Sequence, residues 1–153
     1  MALVQTVYNA IVSVLTNNPT LSLYIKEFYK GVRYDIGVND LPCIMVEPVQ
    51  NQDIELDMNK YKNINFDVQV VGVSYTPTKQ NLGVVGDVNY RGILDIENDI
   101  RACLQSSSNL GGTVIDLQME PSTFEHEDFF DTKYPTRIVV IPARILYRQE
   151  DGV

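Results

Sequence analysis

The stretch Asn63-Ile64-Asn65-Phe66-Asp67-Val68-Gln69-Val70-Val71-Gly72-Val73-Ser74-Tyr75 decides the fold. Ile64, Phe66, Val68 and Val70 alternate with Asn65, Asp67 and Gln69. Side chains of a strand point to opposite faces with a period of two, so this run is a strand with one packed and one polar face. Upstream, Leu41 to Val49 reads as its partner. Cys43-Ile44-Met45-Val46 is apolar throughout, which places both its faces under cover or the segment mid-sheet. Residues 50–62 in between are polar and rich in Asn, Gln and Asp, with Asp53, Glu55, Asp57, Lys60 and Lys62 among them. The two strands therefore form a hairpin with a long connection or long projecting arms.

Outward from this hairpin, residues 76–87 read as a loop marked by Pro77, Gly83 and Gly86. Residues 88–106 follow as a helix whose apolar stripe is Ile93, Ile96, Ile100 and Leu104. Ser106 to Asn109 and Gly111-Gly112 end it. Thr113 to Glu120 reads as a strand with Ile115, Leu117 and Met119 on one face, and an acidic connection runs on to Asp131. The last strand spans Thr136 to Arg148: Val139, Ile141, Ala143, Ile145 and Tyr147 face one way, Arg144 and Arg148 the other. Pro142 lacks an N–H and marks an edge or a bulge. At the start of the chain, Leu3, Val7, Ile11 and Leu15 recur every four residues, which predicts a helix over 2–16 ended by Asn17-Asn18-Pro19. Thr20 is placed to cap a short helix over 21–29, and Gly31 sits where a helix C-cap glycine belongs. The order helix, short helix, strand, strand, helix, strand, strand predicts an α+β fold. It is a single antiparallel, or mixed, four-stranded sheet made of two hairpins, with helices packed on one face. The expected domain organisation is one domain over 1–153.

The bulk properties agree with a folded protein. The 153 residues carry 20 acidic and 12 basic side chains, a net charge of −8, with 44% apolar and 21% charged residues. A chain of this length buries roughly 68–70% of its unfolded surface, enough for a core without metal or disulfide staples. This composition excludes a disordered, collagen-like or disulfide-scaffold protein, and the acidic balance argues against a nucleic-acid binder of the usual basic kind. Cys43 falls on a strand and Cys103 on a helix; two buried free thiols are expected, a disulfide between them being the alternative. The one N-x-S/T triplet, Asn18-Pro19-Thr20, is disqualified as a glycan acceptor by its proline. The first 25 residues are uncharged, but no basic segment precedes them and no small-residue cleavage site follows, and polar residues interrupt the run. A protein that is neither secreted nor membrane-embedded is expected.

Chemistry is sparse. His126, the single histidine, sits in Glu125-His126-Glu127-Asp128 with Asp131 beyond. Imidazole and carboxylates are metal-ligand types, but one contiguous run without calcium-loop spacing reads as a solvated acidic loop. No serine has a nucleophile elbow around it, and both cysteines lie in apolar segments. Gly83-Val84-Val85-Gly86 lacks the lysine and hydroxyl of a phosphate loop. The nine tyrosines are not interleaved with basic residues as in a base-stacking platform. No metal, cofactor or catalytic residue is assigned.

Two features point to association. The helix over 2–16 has only neutral residues at its off-core positions: Gln5, Thr6, Asn9, Ser13 and Thr16. Either it is sandwiched within the fold or its outer side meets another subunit. Charge is also segregated. Residues 115–131 hold Asp116, Glu120, Glu125, Glu127, Asp128 and Asp131 and no Lys or Arg, whereas 132–149 hold Lys133, Arg137, Arg144 and Arg148 and no Asp or Glu. Such patches suit a head-to-tail contact between copies; mutual neutralisation within one hairpin is the other reading. The candidate subunit or lumen interface is thus Glu125, Glu127, Asp128, Asp131, Lys133, Arg137, Arg144 and Arg148, with Asp53, Glu55, Asp57 and Lys60 on the polar arm.

The whole layout resembles the tail terminator, or tail completion, proteins of tailed bacteriophages. The residues that carry the likeness are the N-terminal helix, the strand Leu41-Pro42-Cys43-Ile44-Met45-Val46-Glu47, the polar hairpin, and the strand Phe66 to Gly72. The helix Tyr90 to Arg101 and the closing pair ending Arg137-Ile138-Val139-Val140 complete it. The resemblance implies a non-enzymatic virion protein of the tail or neck, assembled in the host cytoplasm. It would form a homo-oligomer, a hexameric ring that ends the tail tube and meets the head-completion or connector protein. The tube protein, and the sheath of a contractile tail, would be its other partners, with DNA passing through and no membrane involved. Six copies at −8 each carry about −48, which repels the DNA backbone rather than trapping it. Polar arms such as 50–62 suit strand addition between neighbours. The alternatives are another neck, connector, tail-tube or baseplate adaptor protein, and a small metal-binding enzyme centred on His126.

Overall fold

The computed structural model describes residues 4–33, 35–56, 61–75, 84–86, 91–107, 109–112, 114–127 and 136–150. The helices are α1 (Val4–Thr16), α2 (Pro19–Ser22) and α3 (Ile93–Ser106). The strands are β1 (Glu27–Lys30), β2 (Cys43–Leu56), β3 (Tyr61–Ser74), β4 (Asp116–Met119), β5 (Thr123–Glu127) and β6 (Thr136–Glu150). They form one six-stranded mixed sheet in the order β1-β2-β3-β6-β4, with β5 also on β6. Only β1 against β2 is parallel. The fold is α+β as expected. The four-stranded sheet is corrected to six strands, because two segments read as helix and loop pair with strands.

The first correction concerns residues 21–29. The helix there stops at Ser22, and its N-cap is Asn18, not Thr20: the Asn18 side chain accepts from the Leu21 N–H at 3.0 Å, with Pro19 at the first helical position. Leu21 and Ile25 are buried as a helical stripe would require. Yet the chain extends from Glu27, because the edge of β2 offers backbone partners. Lys26 donates to the Pro42 carbonyl and Gly31 to that of Val46, both at 2.9 Å. Tertiary pairing overrides a weak local propensity. Gly31, at φ +95°, turns the chain after a strand and caps no helix.

The second correction concerns the acidic connection. Thr123–Glu127 is β5, antiparallel to Thr136–Val140. Its acidic and polar composition concealed a strand in which only Phe124 is large and apolar. The preceding strand is also shorter than expected: Ile115 lies outside β4 and is 50% exposed. Residues 88–90 of the helix predicted over 88–106 lie outside the described residues, as do 76–83 and 87 of the loop.

The hairpin arms are long. β2 and β3 pair from Cys43↔Val73 to Leu56↔Lys62, with bulges between Pro48 and Gln50 and between Asp53 and Glu55. β3 then pairs with β6 from Tyr61↔Glu150 to Ser74↔Arg137. On one face Ile64, Phe66, Val68, Val70, Val139, Ile141, Ala143, Ile145 and Tyr147 are buried against α1 and α3, which contribute Val7, Ile11, Leu15, Ile93, Ile96, Ile100 and Leu104. The opposite face is covered at one end by described residues. There Cys43, Met45, Val71, Val73 and Ile138 pack under Ile36 and Leu41 of the β1–β2 connection. This explains the uniformly apolar Cys43–Val46. Pro142 sits where β6 changes partners: β4 pairs with 143–146 and β5 with 136–140. Glu120 donates to the Pro142 carbonyl, so the missing N–H faces that same interruption.

Gly72 marks the closest approach of α3 to the sheet. A Cβ there would lie 2.7 Å from Ile96 Cγ2 and 3.1 Å from Val139 Cγ1. Gly72→Ala is expected to destabilise the protein by about 1–3 kcal/mol through overpacking, read as a lower urea midpoint at unchanged m-value. An unchanged midpoint would show that α3 can lift off without cost.

Candidate interaction surfaces

Three surfaces collect the candidate residues. The first is the outer side of α1. Val7, Ile11 and Leu15 point inward, whereas Gln5, Thr6, Asn9, Ser13 and Thr16 are exposed. The helix is therefore not sandwiched within the chain, and its solvent face is neutral along all 13 residues. Its position is held from below: the Tyr8 hydroxyl donates to the Val46 carbonyl at 2.8 Å. Burial, with the Glu47 charge second, raises the Tyr8 pKa.

The second surface is the exposed end of the β2–β3–β6 arm, its polar side together with the outer edge of β2. Gln50 to Asp53 are all exposed. Asp53 stands 3.8 Å from Lys62, a loose surface pair. Arg144 is engaged within the chain: Nε and Nη2 donate to the two carboxylate oxygens of Asp67 at 2.9 and 3.3 Å. Its carboxylate comes from β3 and not from the acidic segment 115–131. The Arg148 Nε donates to the Asn63 side chain at 3.4 Å. For Glu55 the structure describes the backbone alone, in β2; Asp57 and Lys60 lie outside the described residues.

The third surface lies where the α3 N-terminus meets β5 and the start of β6. Val84, Ile93, Leu94, Phe124, Glu125, His126 and Arg137 line a hollow of about 150 Å³. Leu94 and Phe124 are about half exposed, and neighbouring Val85 more so. Arg137 pairs with His126 across the ladder, and its Nε is buried with no acceptor among the described residues. Glu125 is exposed opposite Ile138. Glu127 contributes described backbone only, and Asp128, Asp131 and Lys133 lie outside the described residues. Of the candidate acid–base set, the structure thus brings Glu125 and Arg137 to one place and puts Arg144 and Arg148 on another.

Sequence reasoning missed the clamp that holds the β4–β5 link. Arg101 donates to Glu97, to the Glu120 carbonyl and to the Ser122 hydroxyl, the last two at 2.6 Å. The Glu97/Arg101 spacing of four was the available signal. A second cross-link ties the turn after α2 to α3: the Tyr24 hydroxyl donates to Asp99 at 2.6 Å, and the Arg91 guanidinium lies 5.1 Å from the ring centre. Burial and the Asp99 hydrogen bond hold the phenol proton far above its ordinary range. Among the described residues, no three His, Cys, Asp or Glu side chains are grouped to hold a metal ion. None of the described helices is long and apolar enough to cross a membrane.

Comparison with models of known protein families and with curated protein sequences finds no match to the chain.

Cys43 and Cys103 are both free and buried. Burial first, then the Asp40 and Glu27 charges, push the Cys43 thiol up to about 12. A buried thiol of this kind is not a nucleophile at neutral pH. The unfolded thiol ionises near 8.5, so folding retains a proton that the unfolded chain releases. That stabilisation is complete below about pH 8.5 and is lost as pH rises toward about 12. Urea midpoints measured from pH 8 to 10.5 should fall, and fall less steeply in Cys43→Ala; parallel slopes would remove Cys43 from the account.

Proposed function

We propose that the chain is a non-enzymatic structural protein of a tailed-phage virion, forming a ring, hexameric by resemblance, that ends the tail tube and joins it to the head connector while DNA passes through. The layout of the sequence suggests this class. The observation that carries the reading is the outer face of α1, which is open to solvent in the protomer yet has no charged residue of its own, Lys30 of β1 reaching only its edge at Asn9. A surface helix of a monomer normally carries charge on its solvent side, and charged residues are depleted at the centre of protein interfaces. A neutral, exposed helix beside a long polar arm is what a subunit presents to its neighbours. The net charge of −8 per copy suits a channel that does not retain the DNA backbone.

Light scattering should find six copies of 17.3 kDa, about 104 kDa, for the protein alone or after recruitment to purified tails. Antibody labelling of virions should mark the junction of capsid and tail. A monomer that tails do not take up overturns the reading; label at the distal end places the protein among baseplate adaptors instead. Gln5→Glu/Thr6→Asp adds acids to the first turn of α1, where the helix dipole favours them. Stability should stay within about 0.5 kcal/mol, while ring formation weakens at least tenfold. Unimpaired rings would show that α1 lies outside the subunit contact.

A further inference from the structure

We propose that neighbouring copies join edge to edge, the outer edge of β2 at Gln50–Asp53 on one copy adding as an antiparallel strand to the outer edge of β4 on the next. This rests on the ring reading above and names the contact that closes the ring.

Among the described residues both edges are open. β1 covers β2 only from Cys43 to Val46, so from Pro48 onward the outer side of β2 has no strand partner there. Among the same residues β4 pairs with β6 alone. Unpaired edges of regular strand are templates for another chain.

The hydrogen-bonding groups of the two edges are in phase. The Val46 carbonyl accepts from Gly31, so it faces outward from β3. The Pro142 carbonyl accepts from Glu120, so it faces away from β3 as well. Antiparallel pairs alternate between bonded and non-bonded. Counting from these two anchors through the registers, Gln69, Asp67, Asn65 and Asn63 aim their backbone groups at β2. Their partners Gln50 and Gln52 point inward, and Asn51 and Asp53 point out. The same count turns Leu117 and Met119 outward on β4. One row across the sheet reads Asn51, Phe66, Ile145, Leu117, and the next Gln50, Asp67, Arg144, Gln118. Asn51 and Leu117 thus stand at the same height, both with outward backbone groups that have no strand partner among the described residues. A rotation about an axis along the strands brings them together without a shift. β2 and β4 run in opposite senses, so the head-to-tail pair is antiparallel.

Length and side chains agree. The two bulges bracket Gln50–Asp53, four residues, and β4 has four. Asp53 lies in the row of Ile64 and Tyr147, on the helix-covered face, whereas Asp116 is on the other face, so the two carboxylates do not oppose one another. Gln52 is level with Asp116 and can donate its amide to it. Val49 and Ile115, two of the large apolar residues left about half exposed, flank the two edges and would be covered by the contact.

The test uses the full chain with Gln50→Cys and Gln118→Cys, both exposed, while the native Cys43 and Cys103 are buried. Oxidation of the double variant should give a disulfide ladder up to the ring on a non-reducing gel; either single variant should give none. Gln52→Cys/Gln118→Cys covers a shift of one residue pair. Rings seen by light scattering with no ladder from either pair overturn the edge contact and leave the ring standing. Absence of rings in the parent protein, with or without tails, overturns the ring itself. Asp53→Pro removes an outward N–H, which an edge strand tolerates, and the loose surface pair with Lys62. It should leave a folded protein whose ring association is weakened at least tenfold, and undiminished rings count against the proposal.

Discussion

The antiparallel ladder between β3 and β6 is the constraint on which the other elements depend. It runs through 14 consecutive pairs without a register shift and joins segments that end at Ser74 and begin at Thr136. Closing so long a loop costs entropy before any contact offsets it. The return comes from one face of the ladder, where Ile64, Phe66, Val68, Val70, Val139, Ile141, Ala143, Ile145 and Tyr147 are all buried. Each fully buried aliphatic or aromatic side chain is worth about 1.5–3 kcal/mol. A slip of one residue would turn every one of them to the polar side, so the register is strongly specified. α3 settles on this face at Gly72, and α1 beside it.

The flanking strands are shorter than the central ladder, and the exposed surfaces follow from that mismatch. β1 pairs with four residues of β2, β4 with four of β6, and β5 with five. The arm ends of β2 and β6 extend past them. The polar face beneath the arm carries Asn63, Asn65, Asp67, Gln69, Arg144 and Arg148, while the apolar end of that face is closed by the β1–β2 connection. A sheet whose ladder is longer than its cover leaves backbone groups at its sides. Those groups are directional in a way that apolar patches are not.

What could be read from the sequence was what period-two and period-four patterns report. β3, β6, α1 and the α3 stripe all have a single face with consistent burial, and each was legible with its inward residues. β1 and β5 were not. In Glu27-Phe28-Tyr29-Lys30 neither face is cleanly buried, and the Leu21, Ile25, Phe28 spacing imitates a helix. In Thr123-Phe124-Glu125-His126-Glu127 the strand is held by backbone pairing to β6 and is exposed on its described side chains. Composition carries no trace of a strand whose stability lies in its hydrogen bonds. The candidate surfaces divide along the same line. The neutral face of α1 was visible as an absence of charge; the open edges became visible only when the lengths of the neighbouring strands were known.

The segregated charges of residues 115–149 take on a different meaning in this geometry. Arg144 finds Asp67 on the adjacent strand, half exposed and bidentate. An exposed pair of this kind contributes about 0–1 kcal/mol. It leaves Arg144 less to offer a neighbour, because any new partner must compete with an acceptor already in place. Arg137 differs, since its buried Nε has no acceptor among the described residues, but it lies at the β5 end of β6, opposite Ser74, away from Arg144 opposite Asp67. Among the described residues these opposite charges do not gather into two facing patches along one edge. An association that used them would be local and salt-sensitive. One that used the free backbone of β2 and β4 would be set by strand register, and would change little with salt.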